Sequence, residues 1–124
     1  MNLLVATLLV CSHADRDVAA AVVASAVAQN VPAELALAVG CVESGLQERN
    51  PLGVRDCYRG VNNGRFDSQA CIVIGVRSLS HRLSSCHGDE LCAARRYNNS
   101  KHAKAYARKV GKIAAVIRRL VGQQ

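Results

Sequence analysis

Apolar and polar positions alternate along this chain with the period of helices rather than strands. Residues Leu3 to Val10 are apolar except for Thr7. Asp15 to Gln29 is rich in Ala and Val, opens on two acids and ends at Asn30, the pattern of a first amphipathic helix. Pro32 then stands at a helix start with Glu34 in the first turn. Leu35, Val39, Val42 and Leu46 follow at spacings of four, three and four, which puts them on one helical face, and Asn50-Pro51 stops the pattern. Residues 47–66 hold Pro51, Gly53, Gly60, Asn62-Asn63-Gly64 and few apolar side chains. They predict a long loop, with room for a short β-hairpin at Asn62-Asn63-Gly64. A loop of that length in a small domain usually carries function. Asp67 or Ser68 can cap a helix running to about Leu83. Ser84 to Glu90 is a turn, and Asp89 can cap a helix through Arg96. The last helix spans His102 to Val121, with Tyr106, Val110, Ile113, Ile117 and Leu120 as its apolar stripe. The expectation is a mainly α, single-domain protein with one long loop.

Composition narrows this. The chain has 124 residues, half of them hydrophobic, with one Phe and no Trp. Ala, Val and Leu must fill the core, which suits closely packed helices. A chain this short buries roughly two thirds of its unfolded surface, so cross-links would help. Its six cysteines contain no C-x-x-C pair, have irregular gaps and meet no histidine pair of zinc-finger spacing. No metal or other cofactor is therefore expected, and disulfides made in an oxidising compartment fit better. Cys86 and Cys92 flank a five-residue turn and can staple it. Cys57 and Cys71 can tie the loop to the helix after it.

Leu3 to Val10 has the length of a signal-peptide h-region and is too short to span a bilayer. Ser12 and Ala14 offer small residues for cleavage before Asp15, although Met1-Asn2 supplies no positive charge. The expected organisation is a leader over 1–14 and a domain over 15–124, and the alternative is a buried first helix. Cleavage would remove Cys11 and leave Cys41 unpaired. Retention would allow Cys11 and Cys41 to pair.

The formal net charge is +7, concentrated after Arg95. Such a balance suits a polyanionic partner, although a solvated helix face explains the charges of the last helix equally simply. Only Tyr58, Tyr97, Tyr106 and Phe66 could stack on bases, so nucleic acid is not an expected partner. The last helix is basic and amphipathic enough for a membrane-active protein. Its single apolar seam, however, is needed for the core.

Glu43 interrupts the apolar helix. At about 100° per residue it lies roughly 60–70° from the centre of the buried face, near the C-terminal end and just before the loop. Partial burial and the helix C-terminus both disfavour its charge and raise its pKa. A protonated carboxyl at the mouth of a cleft is what a general acid requires. A helix-end Glu paired with Arg49 or Arg55 is the simpler alternative.

The stretch "VPAELALAVGCVESGL" (Val31 to Leu46) resembles the start of the catalytic domain in the soluble lytic transglycosylase and goose-type lysozyme superfamily. There a Pro-started helix ends in Glu-Ser-Gly plus an apolar residue, matched here by Glu43, Ser44, Gly45 and Leu46. "NPLGVR" (Asn50 to Arg55) and "GRFDSQACIVIGVRSLSHRL" (Gly64 to Leu83) are similar to the compact variant found in some phage and bacterial wall hydrolases. "GDELCAARRYNNS" (Gly88 to Ser100) is similar to the family's Ala-rich helix ending in Tyr-Asn, and "AYARKVGKI" (Ala105 to Ile113) to its closing helix. The resemblance covers residues 17 to 117 in order. The family's Gly-Leu-Met-Gln stretch is absent.

The resemblance implies a lysozyme-like fold and cleavage of the MurNAc-GlcNAc β-1,4 bond of peptidoglycan glycan strands, by a monomeric protein that is secreted, periplasmic or virion-associated. It implies Glu43 as the one catalytic carboxyl, assisted by the substrate's N-acetyl group, with Ser44, Tyr97 and Asn98 lining the substrate site. Asp56 and Asp67 are the candidates for a second carboxylate. They read more simply as a loop residue and a helix cap. A β-N-acetylglucosaminidase on the same fold, or a non-catalytic wall-binding protein, are the competing expectations.

Overall fold

A computed structural model describes residues 1–55, 57 and 68–122 of the chain. It contains six helices: α1 (Leu3–Val10), α2 (Arg16–Ala28), α3 (Ala33–Ser44), α4 (Ser68–Ser85), α5 (Glu90–Asn98) and α6 (Ala103–Gly122). No strand occurs among the described residues. The expected hairpin at Asn62-Asn63-Gly64, the Asp67 cap and the candidate carboxylate Asp56 lie outside them.

The helix ends follow from local chemistry. Asp15 caps α2, its Oδ1 accepting from the amides of Asp17 and Val18 at 2.9 and 3.1 Å. Asp89 does the same for α5, accepting from the Cys92 amide at 3.1 Å. Asn30 ends α2 in the left-handed region, and the Val31 amide donates back to the Ala26 carbonyl at 2.9 Å.

Helix α3 is the axis of the domain. Leu35 to Val39 are five consecutive residues with at most 1% exposure, and Gly40 after them is buried, because α2 and α6 pack against α3. The face expected from Leu35, Val39, Val42 and Leu46 understated this: Leu-Ala-Leu-Ala-Val-Gly is apolar all round, and such a helix is buried all round. The helix also stops earlier than the apolar spacing suggested. Gly45 takes φ 71° and Leu46 φ 56°, so Leu46 is buried as the first residue of the loop and not as the last of the helix. The remaining core is made by α6, through Tyr106, Ala107, Val110, Ala114 and Ile117, and by α4 and α5, which pack on each other.

Three disulfides cross-link these elements: Cys11–Cys41, Cys57–Cys71 and Cys86–Cys92. The last two are the pairs expected from the spacing. The first joins the stretch before α2 to α3. Residues 1–14, which read as a leader, here contain α1, packed on α2 and α6 with Ala6 and Thr7 fully buried. They also reach the end of α3. The Asp15 amide donates to the Leu46 carbonyl at 3.0 Å, and the Gln47 side chain donates to the His13 carbonyl.

No helix among the described residues is long and apolar enough to cross a membrane.

Candidate active site

Glu43 occupies the last turn of α3, and the chain that follows folds back over it. Leu46 and Leu52 are fully buried. Both pack against Gly40 of α3, and Leu52 also fills the space above Gly75 of α4, where an added Cβ would stand 2.7 Å from the leucine's Cβ and Cδ1. Two glycines on facing helices thus leave a notch for one leucine. The turn that presents Leu52 is closed by Asn50. Its side-chain oxygen accepts from the Val54 amide at 2.9 Å, and its amide nitrogen donates to the Val54 carbonyl at 3.0 Å. The Cys57–Cys71 bond fastens the far side of the loop to α4.

This turn carries Gly53 onto the Glu43 carboxyl. Gly53 has φ 66°, and a Cβ there would overlap Glu43 Oε2. Only glycine meets both demands, the left-handed backbone and the contact. Around the carboxyl stand two hydroxyls from two other helices, Tyr97 of α5 and Tyr106 of α6. Tyr97 donates to the Leu52 carbonyl, holding the same turn from the opposite side. The Tyr106 hydroxyl is buried. It lies near enough to Glu43 to favour the carboxylate, yet no partner meets strict hydrogen-bond geometry, so it is a close but loosely aimed donor.

The electrostatics follow from this enclosure. Desolvation raises the Glu43 pKa above its ordinary value, and the Tyr106 hydroxyl offsets part of the rise. Burial, and then the charge of Glu43, push both tyrosines above the usual phenol range, so they stay protonated as donors. Among the described residues Glu43 makes no ion pair, and Arg49 and Arg55 are exposed. The simpler role, a helix-end Glu paired with either arginine, is therefore not what is found.

The other expected site residues divide. Tyr97 is brought to Glu43. Ser44 is committed to the backbone, donating to the Pro51 carbonyl at 2.8 Å and accepting from the Gln47 amide at 3.2 Å, so it shapes the turn. Asn98 ends α5, and its side-chain oxygen accepts from the Ser100 hydroxyl. Tyr106 was read as part of the apolar stripe of α6, which it is. The signal overlooked was its hydroxyl, a polar tip on a buried stripe that needs a polar neighbour. No cluster of three or more His, Cys, Asp or Glu that could hold a metal ion occurs among the described residues.

No protein-family model matches the chain, and neither a curated protein nor a solved structure matches it.

Proposed function

We propose that the protein is a glycosidase of peptidoglycan glycan strands, cutting the MurNAc-GlcNAc β-1,4 bond with Glu43 as general acid and then base. The observation that carries this reading is the state of one carboxyl. Glu43 is half-buried and, among the described residues, without a cation partner, and it is enclosed by Gly53, Tyr97 and Tyr106 at the end of the axial helix. Its raised pKa keeps a proton available for the glycosidic oxygen. With no second carboxylate among the described residues around it, the mechanism uses the exception in which the substrate supplies the nucleophile. The N-acetyl carbonyl oxygen bonds to the anomeric carbon as the glycosidic C–O bond breaks and Glu43 protonates the leaving oxygen. The Glu43 carboxylate then takes a proton from water, or from the muramyl 6-hydroxyl, as that oxygen displaces the N-acetyl group.

In this reading Tyr97 and Gly53 position the acid, Tyr106 tunes it, Ser44 holds the turn and Asn98 faces the sugar. The protein acts as a monomer outside the cytoplasm, a placement to which its three disulfides are suited. Digestion of purified sacculi, with mass analysis of the fragments, tests the proposal. Fragments ending in MurNAc, reducing or 1,6-anhydro, are expected. Fragments ending in reducing GlcNAc would assign the other glycosidic bond, and intact sacculi would overturn the reading.

A further inference from the structure

Charge is divided sharply along this chain. Nine of the sixteen Lys and Arg follow Glu90, and no Asp or Glu does. Those nine belong to the hairpin made by α5 and α6, which pack on each other. Two features show that the cations are arranged and not merely numerous.

The first is a row. Arg108, Lys112 and Arg119 are exposed on α6. At about 100° per residue they fall within roughly 40° of one another, on the side opposite the buried Val110, and about 16 Å of helix separates the first from the last. The one acid that bonds to α6 among the described residues, Glu90, pairs with Arg118 at 2.8 Å and leaves the row free.

The second is a cavity of about 580 Å³ at the corner where α5 passes into α6, lined by Cys92, Arg95, Arg96, Asn99, Ser100 and Ala103. Its described lining has two guanidinium groups and no carboxylate. Arg96 is held in place by Ser85, donating from Nη1 to the hydroxyl at 3.0 Å and to the carbonyl at 3.4 Å, which leaves its other N–H groups free. Arg95 is exposed, and its guanidinium has no hydrogen bond or ion pair with any described residue. A fixed and a free guanidinium in one concavity fit an oxyanion bound through paired N–H donors.

We propose that the α5–α6 hairpin is a docking face for an acidic polymer of the cell wall, with the Arg95–Arg96 cavity taking one carboxylate or phosphate group of the polymer and the Arg108–Lys112–Arg119 row attracting its further charges. The choice of a wall polymer rests on the proposed glycosidase reading; the choice of a polyanion rests on the charges alone. Neither a bilayer nor a nucleic acid fits the face as well. The apolar seam of α6 is spent in the core, so this face offers no continuous apolar stripe to insert. Among the described residues no aromatic side chain lines the cavity or the row to stack on a base.

The test uses the full chain carrying Glu43→Gln, so that the polymer is bound and not cut, and measures co-sedimentation with purified walls. Binding is expected at low salt and is expected to be lost by about 0.5 M NaCl, where screening acts over a few ångströms. Arg95→Gln and the triple change Arg108→Gln, Lys112→Gln, Arg119→Gln should each weaken binding about tenfold, the loss of one good charge-assisted contact, with circular dichroism and melting unchanged. Walls stripped of phosphate polymers identify the anion: retained binding assigns carboxylates, lost binding assigns phosphates. Charge variants that bind like the parent would overturn the proposal. So would equal or tighter binding to phosphatidylglycerol vesicles or duplex DNA. If the wild type leaves walls uncut while Glu43→Gln binds as described, the glycosidase reading falls and the docking face stands.

Discussion

The end of α3 and the outer side of α6 handle charge in opposite ways. At the end of α3 one carboxyl stands among a glycine, two phenols and aliphatic side chains, with no cation of the described residues paired to it. On α6 the cations stand in water, and among the described residues a single acid, Glu90 of α5, pairs with one of them. The same helix serves both regions, since Tyr106 faces Glu43 while Arg108 and Lys112 point to solvent. Keeping the cations on the far side is what allows the Glu43 pKa to rise. A guanidinium against the carboxyl would draw it down by one unit or more and turn an acid into a spectator. In the proposed glycosidase, segregation of charge, more than its total, would be the working feature.

The sharpest way to break the comparison is to remove the carboxyl. Glu43→Gln should lower wall-cleaving turnover by at least ~10²-fold while the protein still folds. A folded Glu43→Gln variant that clears walls at the wild-type rate would end the assignment.

Opening the Cys57–Cys71 bond should come next in size. The closed loop spans a sequence separation of 14, worth about 3 kcal/mol in the chain-entropy account. Cys57→Ser with Cys71→Ser should therefore lower the melting temperature and impair cleavage together, because the bond fastens the turn that covers Glu43. Loss of stability with full activity would separate the loop from the site.

Gly53→Ala probes the wall of the site itself. A left-handed alanine costs about 1–2 kcal/mol, and its methyl must displace the carboxyl, so activity should fall further than the stability change explains. Chemical denaturation beside turnover measures both.

The two tyrosines give the smallest effects and the finest contrast. Tyr97→Phe loses the bond to the Leu52 carbonyl and should cost about 1 kcal/mol. Tyr106→Phe removes a buried hydroxyl without a well-formed bond, so stability should hold or rise slightly. It should also move the alkaline limb of the pH–rate profile upward, because Tyr106 is what restrains the Glu43 pKa.

Stability should carry the same signature. A carboxyl whose folded pKa is raised holds its proton more tightly when folded, so it favours folding at low pH. That advantage is lost as pH rises from the ordinary value of 4.5 through the raised folded value. Denaturation of the wild type and of Glu43→Gln at acid and neutral pH should therefore show the wild type alone declining over that window. Parallel pH dependence in the two proteins would place the carboxyl in water.

Much of this was legible in the residues. The Asp89 cap, the Pro-started helix, the stripe of α6 and the 57–71 and 86–92 pairings all depend on neighbours close in sequence, and each appears as expected. Glu43 was visible as a polar break in an apolar run, and its raised pKa followed from its place on the helix. What could not be read was what meets at a distance. The notch between Gly40 and Gly75 exists only once α3 and α4 face each other, and Leu52 looks like any loop leucine until it fills it. Helical spacing put Leu46 inside α3 because burial was right while backbone direction was wrong. Tyr106 was hidden by its own ring, which satisfies an apolar stripe whether or not its hydroxyl has work to do.

The Cys11–Cys41 bond has a topological consequence. It makes the first stretch of the chain and the axial helix one covalent loop, so the link between Ala14 and Asp15 is not the only path that joins them. If that peptide bond were cut after the disulfide had formed, nothing would be released. The molecule would gain one water, become two chains and keep α1 where it is. A reducing agent, and not the protease, would then decide whether the short segment leaves. Mass spectra taken with and without reduction would tell a chain cut before oxidation from one cut after it. The order of those two events would thus be written in the covalent connectivity of the product.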